Sequence, residues 1–355
     1  FKRMEPLKLK LLFEIDDPER STIFWVPTLG ANTTDKFMLG AAFYNEVIPN
    51  RKFRYILNPM YSFGLNKHAG SYDLSYEWLP VKNFRSVSLG MEIRDFADMQ
   101  KVAPRLVVDF KPKDPTRKPH QKIIAKHYFM FSDLPQYKGE YQIGKLSHEL
   151  SNGNALSAYS VSSTVTSDYD EFTTLEVRGN FTRSYDRGRY FRIEGYLGGF
   201  LQKSSSLFPV YRLNFSGSPD FTMDQTFFDR AAISDNMRYL TDQTDLLQGG
   251  MRGNINVSSD GWIATLNTDV DMPFSNSLRL FFDTGLDIDQ SEFYYTTGLS
   301  FNFGKIFYFY FPLAGDSYQN TTPESWGNFT NNIRFSVRFE GLNPWKLVEE
   351  NLGID

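Results

Sequence analysis

The feature that most constrains this chain is strict alternation carried over long runs. From Ser277 to Ile288, Leu278, Leu280, Phe282, Leu286 and Ile288 share one parity, while Arg279, Asp283 and Asp287 share the other. From Asn332 to Glu340, Ile333, Phe335, Val337 and Phe339 alternate with Arg334, Ser336 and Arg338. The pattern returns over 6–15, 172–181, 189–202 and 262–272. Successive residues of a strand point to opposite faces, so each run reads as a strand with one apolar and one charged face. These runs are nine to fourteen residues long. Soluble strands are typically about 5–6 residues and tilted membrane-spanning strands about 9–11.

The stretch GKIFYFYFPL, residues 304–313, shows the most apolar version. Phe307, Phe309 and Phe311 fall on one face and Tyr308 and Tyr310 on the other. A strand between lipid and a wet interior has this asymmetry: phenyl rings outward, hydroxyl-bearing rings inward. A doubly covered strand of a soluble sandwich could also produce it, so the long charged-apolar runs elsewhere carry the decision.

Composition removes other classes. The 355 residues carry a net charge of −4 and no basic cluster, so nucleic acid is not an expected partner. There is no cysteine, which excludes disulfides and thiolate metal sites. Mean hydropathy is −0.41, and no apolar run approaches the roughly 20 residues of a membrane helix. A chain of this kind crosses a membrane only as a closed β-barrel, because backbone groups cannot stay unpaired in lipid. The 33 Phe, 20 Tyr and 5 Trp fit a barrel with aromatic girdles better than a Val/Ile/Leu core. Trp25, Trp78, Trp262 and Trp326 lie near expected strand ends.

Turn signals such as Asp16-Asp17-Pro18, Asn66-Lys67, Asn152-Gly153 and Asp186-Arg187-Gly188 separate long hairpins. The expected fold is all-β: a closed antiparallel transmembrane β-barrel over 1–342, with 18 strands by count and 16 as the alternative. The thirteenth strand is placed at 207–217 and the last at 329–341. A periplasmic tail follows at 343–355. Segment 218–260 is rich in Asp, Asn, Gln, Gly and Ser and lacks alternation, so it reads as a long extracellular loop. Pro27, Pro59, Pro209 and Pro312 fall inside runs, where each removes a ladder donor and requires a bulge or a strand end.

Motifs for chemistry are lacking. His148-Glu149 opens like H-E-x-x-H, but Asn152 stands in place of the second histidine. Gly139–Lys145 resembles a phosphate loop, but Leu146 replaces its Ser/Thr and no helix pattern follows. Asp283 and Asp287 share a face roughly 13 Å apart, too far for paired acid–base work on one bond. No catalytic, cofactor or metal residue is assigned in this chain. The Gly249-Gly250-Met251-Arg252-Gly253 stretch reads as a turn in the long loop. Its sharper reading sends Arg252 into the lumen, to pin the loop against strand acids such as Asp269 or Asp283.

Three stretches, DKFMLGAAFYN (35–45), IFYFYFPL (306–313) and IRFSVRFEGLNPWKL (333–347), resemble the C-terminal barrel region of large Bacteroidota-type zinc metallopeptidases of the aminopeptidase-N family. That resemblance implies a membrane anchor or scaffold for a periplasmic peptidase domain lying upstream. Its zinc and H-E-x-x-H would lie outside this chain. The N-terminus FKRMEPLKLK has no apolar signal core, so a processed form or a C-terminal piece is expected. The layout of a long loop followed by further strands is similar to BamA/TamA-like barrels, with Met-Arg-Tyr-Leu (237–240) and Met-Arg-Gly-Asn (251–254) where that family has V-R-G-F. This second resemblance implies an insertion or translocation barrel, or a substrate channel.

The expected function is therefore a bacterial outer-membrane barrel, acting as anchor, scaffold or subunit of an outer-membrane complex, with insertion or transport as the alternative. Phe307, Phe309, Phe311, Leu278, Leu280, Phe282, Phe335 and Phe339 are expected to face lipid. Arg279, Asp283, Asp287, Arg334, Arg338 and Arg252 are expected to face the lumen. Outer-membrane lipid is the expected partner, together with outer-membrane or periplasmic proteins.

Overall fold

The computed structural model describes residues 8–11, 22–32, 34–45, 51–79, 83–112, 119–133, 139–154, 156–186, 188–207, 209–217, 220–224, 249–255, 257–303, 307–318 and 322–337. The described residues are overwhelmingly strand, and they divide into two units.

The first unit lies within Phe1–Lys111 and Ile124–Gly144. It is built on an up-and-down meander of β2 (Thr22–Asn32), β3 (Lys36–Tyr44), β4 (Phe53–Ser62), β5 (Lys67–Trp78), β6 (Phe84–Phe96) and β7 (Met99–Phe110). A short β1 (Lys8–Leu11) lies parallel to the start of β2. The turns between these strands are tied together by Asp35, which is fully buried. Its Oδ2 accepts from the Ala97 amide at 2.8 Å, and its backbone carbonyl accepts from the Gly64 amide at 2.7 Å. Inward charges pair across strands: Arg105 grips Asp73 with both amino groups, and the buried Lys101 meets Glu92 at 3.0 Å.

Strands β8 (His120–Ser132) and β9 (Glu140–Gly153) follow in sequence. The second unit, which includes Lys145–Phe227 and the chain from Ala232, contains a second meander. It comprises β10 (Ser157–Asp168), β11 (Phe172–Asp186), β12 (Arg189–Lys203), β15 (Trp262–Met272), β16 (Ser275–Asp287), β17 (Glu292–Phe303), β18 (Phe307–Gly315) and β19 (Arg334–Val337). Between β12 and β15, a 3-10 turn at Pro209–Tyr211 and a two-residue ladder of β13 (Leu213–Asn214) with β14 (Ser258–Ser259) form a separate small fold. Before β19 stands one short helix, α1 (Trp326–Asn331), capped by the Ser325 hydroxyl.

The sequence pattern and the strands agree over most of the chain and part company three times. The expected antiparallel strand over 6–15 is, among the described residues, the short β1, which pairs parallel with β2. The run 207–217 is not a meander strand: β12 pairs directly with β15, from Phe191↔Val270 to Gly199↔Trp262. Leu213 and Phe215 share one parity and are both buried, packed with Met251 and Ile255 of the insertion and with Tyr196 of β12 and Ile263 of β15. The expected last strand at 329–341 begins as helix, and among the described residues Arg334–Val337 pairs with β18. The insertion therefore follows β12 rather than a thirteenth crossing.

Three of the four prolines sit at a break in pairing, whereas Pro27 departs from the expectation: it lies mid-strand in β2, in unbroken register opposite Ala41. The β17–β18 register slips between Gly298↔Pro312 and Thr297↔Ala314, which places a bulge beside Pro312. Pairing of β3 with β4 runs through Gly40↔Met60 and resumes at Phe43↔Leu57, skipping Pro59. Pro209 begins the 3-10 turn. The stretches 225–248, 338–340 and 343–355, and with them Phe339, Arg338, the Met237-Arg238 motif and the proposed tail, lie outside the described residues.

Candidate functional site

Polarity in the second unit is inverted relative to a soluble sheet. Along β16, Leu280 and Phe282 are 43% and 47% exposed, while Phe281 and Asp283 between and beside them are 1% and 0% exposed. On β18, Phe307 and Phe309 are exposed and Tyr310 is buried. Leu278, Phe311 and Phe335 are half-buried on the same parity as these exposed residues. Asp287 and Arg334 are buried, and Arg279 is nearly so. The apolar side chains thus cluster toward the exposed face and the charges toward the covered one.

The covered face is occupied by the insertion. Gly249 lets the chain pass close to the insertion's own first half. A Cβ on Gly249 would meet the Phe215 backbone at 2.6 Å. The Gly249 carbonyl accepts from Thr265 Oγ1 at 2.5 Å and from Asn267 Nδ2 at 3.0 Å, both on β15. Met251, Ile255, Phe215 and Leu213 of the insertion pack with Tyr196 of β12 and Ile263 of β15 in one apolar cluster. Gly285 on β16 leaves the space for it, since a Cβ there would stand 2.6 Å from Phe215.

Arg252 is the polar centre of this contact. Its backbone amide donates to Asp283 Oδ2 at 2.7 Å, its Nε to the same carboxylate at 3.1 Å, and one amino group also reaches Asp283. The other amino group donates to Asp269 at 3.0 Å, and the Thr268 carbonyl accepts a further bond at 2.9 Å. The guanidinium also lies 4.7 Å from the centre of the Phe281 ring. Burial by itself would lower the affinity of Arg252 for its proton. Asp283, seconded by Asp269, outweighs burial and holds the guanidinium firmly charged, above its ordinary value.

A second arginine works in the opposite direction. Arg334, on β19, donates to the carbonyls of Met251 and Gly253 at 3.1 Å each and to that of Ser216 at 2.7 Å. Ser216 in turn donates to the Gly253 carbonyl at 2.6 Å and accepts from Ile255 at 2.8 Å. Wall and insertion therefore each contribute one arginine to the other. Around them, Asp271 receives Arg192 and Arg279, both at 2.9 Å, and the Tyr190 amide at 2.8 Å. A polar cavity of about 230 Å³ is lined by Arg192, Arg252, Asn267, Asp269, Arg279 and Tyr308 among others.

Of the residues singled out in the sequence, Arg252, Asp269 and Asp283 are brought together. Arg279 pairs with Asp271 instead of Asp283 or Asp287. Asp287 caps the β16–β17 turn, accepting from the Asp289 and Gln290 amides at 3.1 Å each. Arg334 binds main-chain carbonyls of the insertion. Sequence reading missed Thr265 and Asn267 as holders of Gly249, and Phe281 as the ring under Arg252. The parity that faces Phe281 with Asp283 was the available signal. Among the described residues, no three His, Asp or Glu side chains are grouped to hold a metal ion.

No family model matches the chain, and no curated protein matches it, so the metallopeptidase resemblance finds no counterpart there. Among solved structures, it is similar to CdiB from Acinetobacter baumannii, at 11% identity and a TM-score of 0.40, over 84% of this chain and 57% of that one. It is also similar to BamA from Haemophilus ducreyi lacking POTRA domains 1-3, at 12% identity and a TM-score of 0.43, over 86% of this chain and 68% of that one. The chain thus spans little more than half the length of the CdiB chain. Neither likeness is close enough to carry those proteins' fold or function to this one.

Proposed function

We propose that this chain is a closed β-barrel of the bacterial outer membrane whose lumen is plugged by its own insertion. The observation that carries this reading is the alternation on β16, with Leu280 and Phe282 exposed and Asp283 buried with the plug's Arg252. Exposed apolar residues of this kind recur on nearly every long strand, such as Leu29, Leu39, Leu89, Leu106, Phe131 and Leu197. Soluble monomers rarely expose contiguous apolar patches beyond a few hundred Å². A bilayer covers them, and in lipid the strand edges must close on one another. Among the described residues, the eleven strands β2–β12 and the five strands β15–β19 support the alternative count of sixteen over eighteen. The insertion end faces outward, where barrels keep their long loops, and its seat against Asp283, Asp269 and Arg334 makes the barrel an anchor or scaffold of the membrane rather than an open channel.

Planar-bilayer recording tests this. The wild-type protein is expected to conduct negligibly and Arg252→Ala to show channel openings. A large steady conductance in the wild type would overturn the plugged barrel. The narrower reading, an anchor for a periplasmic metallopeptidase domain, rests on the three resembling stretches alone. The intact mass of the native polypeptide, with peptide mapping upstream of Phe1, tests it: a chain starting at Phe1 ends that reading. A second reading, an insertion or translocation barrel, is favoured by one observation. The plug is held by ion pairs and carbonyl bonds, contacts that can be exchanged for water when a plug moves.

A further inference from the structure

Strand register sets out one row of side chains on the covered face of the second unit. Arg192 on β12 stands opposite Asp269, and Asp271 on β15 stands opposite Arg279. Arg279 on β16 stands opposite Ser300, and Ser300 on β17 opposite Tyr310. Arg192, Asp269, Arg279, Ser300 and Tyr310 of this row line the cavity of about 230 Å³, together with Arg252 of the insertion.

The acids of the row have no oxygen left over. Both oxygens of Asp269 accept, from Arg192 and Arg252. Both oxygens of Asp271 accept, from Arg192, Arg279 and the Tyr190 amide. Glu194, also in the lining, is paired with Arg178. Donors, by contrast, are left over. Arg279 gives its Nε to Asp271 at 2.9 Å, and its two amino groups have no hydrogen-bond partner among the described residues. Ser300 is 4% exposed, and its hydroxyl also has no partner among the described residues. Neither group is sealed off, so both open on the cavity they line. Asn267 Oδ1 has no donor among the described residues, but that atom is fully covered.

We propose that this cavity binds a small free oxyanion of phosphate size, held by the amino groups of Arg279 and the hydroxyl of Ser300. A guanidinium edge donates two parallel bonds to one oxyanion. Asp271 holds Arg279 by its Nε and leaves that edge open, and the Tyr308 ring lies 6.0 Å from the guanidinium. Arg192, Arg252 and Arg279 are matched by Asp269, Asp271 and Asp283, so the anion is selected by directed donors and not by excess positive charge. That favours an ion with several acceptor oxygens over chloride. The volume lies below the roughly 300–1,000 Å³ of pockets for larger ligands. It equals that of roughly seven waters at about 30 Å³ each, which suits one hydrated oxyanion and not a sugar or a nucleotide. The inference rests on this cavity alone and holds whether or not the sheet closes into a barrel.

Isothermal titration calorimetry of the whole protein in a non-ionic detergent tests this, with inorganic phosphate as the probe and chloride as the background salt. The wild type is expected to bind phosphate saturably, with sulfate competing and chloride at matched ionic strength not competing. Arg279→Lys keeps the charge and removes the fork, and is expected to weaken binding about tenfold. Ser300→Ala removes a hydroxyl that no described residue uses, so the fold is left alone, and is expected to weaken binding roughly threefold to tenfold. Arg189→Lys, at the turn between β11 and β12 where Arg189 pairs with Asp186, is the control and is expected to bind like the wild type. No saturable binding of phosphate to the wild type would overturn the proposal. Phosphate binding that chloride displaces equally, or that Arg279→Lys and Ser300→Ala both leave unchanged, would also overturn it, because the ion would then sit elsewhere.

Discussion

Arg252 and Asp283 meet through both backbone and side chain: the backbone amide of Arg252 donates to Asp283 Oδ2 at 2.7 Å, and its side-chain Nε donates to the same carboxylate at 3.1 Å. The aspartate thus fixes both the path of the insertion and the direction of its guanidinium. Asp283 is 0% exposed, so removing its partner leaves a buried charge. Arg252→Ala is expected to weaken the seating of 249–255 against β15 and β16 by about 3–5 kcal/mol. Asp283→Asn, which keeps an acceptor for the Arg252 amide, is expected to cost less. Protease cleavage within 249–255, followed by mass spectrometry, reads both.

The outward face of β16 gives a position-dependent test of the membrane. Phe282 lies toward the middle of the strand and Ile288 just past its end, on the same parity and similarly exposed. If lipid covers this face, as proposed, Phe282→Arg destabilises the folded protein by about 2–4 kcal/mol and Ile288→Arg by about 0–1 kcal/mol. Urea titrations in lipid vesicles measure the difference. Equal, negligible effects at both positions would argue against lipid on that face.

Gly285 is the space the apolar cluster uses. A Cβ there would stand 2.6 Å from Phe215 and 2.9 Å from Met251. Gly285→Ala is expected to cost about 1–3 kcal/mol through overpacking. Gly179→Ala meets nothing within 4 Å and serves as the neutral control. Thermal unfolding of the two variants side by side makes the comparison.

Tyr318, in the connection between β18 and β19, donates its hydroxyl to the Pro312 carbonyl at 2.8 Å. Burial pushes its phenol up from 10.0 to about 12. The unfolded chain ionises first as pH rises, so this tyrosine's stabilising contribution is complete below about pH 10 and lost between about 10 and 12. The stability gap between wild type and Tyr318→Phe is expected to move against the wild type across that window. A pH-independent gap, read from urea midpoints, would contradict the buried-phenol account.

The alternation of Leu278–Ile288 was legible because a strand's period is local: two residues decide which face a third occupies. The pinning arginine was legible for a related reason. Arg252 is a lone charge in a glycine-rich stretch, and the acids of matching parity on β15 and β16 were few. The departure of 207–217 from the meander was not legible. Leu213 and Phe215 have the parity of a strand, and only the direct pairing of β12 with β15, which leaves no place between them, shows that they are outside the meander. Helix α1 was missed because six residues are too few to establish a period.

By itself, the sequence determined that this is a β-protein of long two-faced strands, with apolar and charged residues sorted by parity and an irregular insertion before the final strands. Those are properties of neighbouring residues and need no knowledge of who pairs with whom. Only the tertiary structure decided that Arg279 goes to Asp271, that Asp287 caps a turn, and that Arg334 reaches Met251, 83 positions away. Choosing among several acids and carbonyls on one covered face depends on strand register and on the insertion's path. Both are set by packing over long sequence separations, which a two-residue period does not encode.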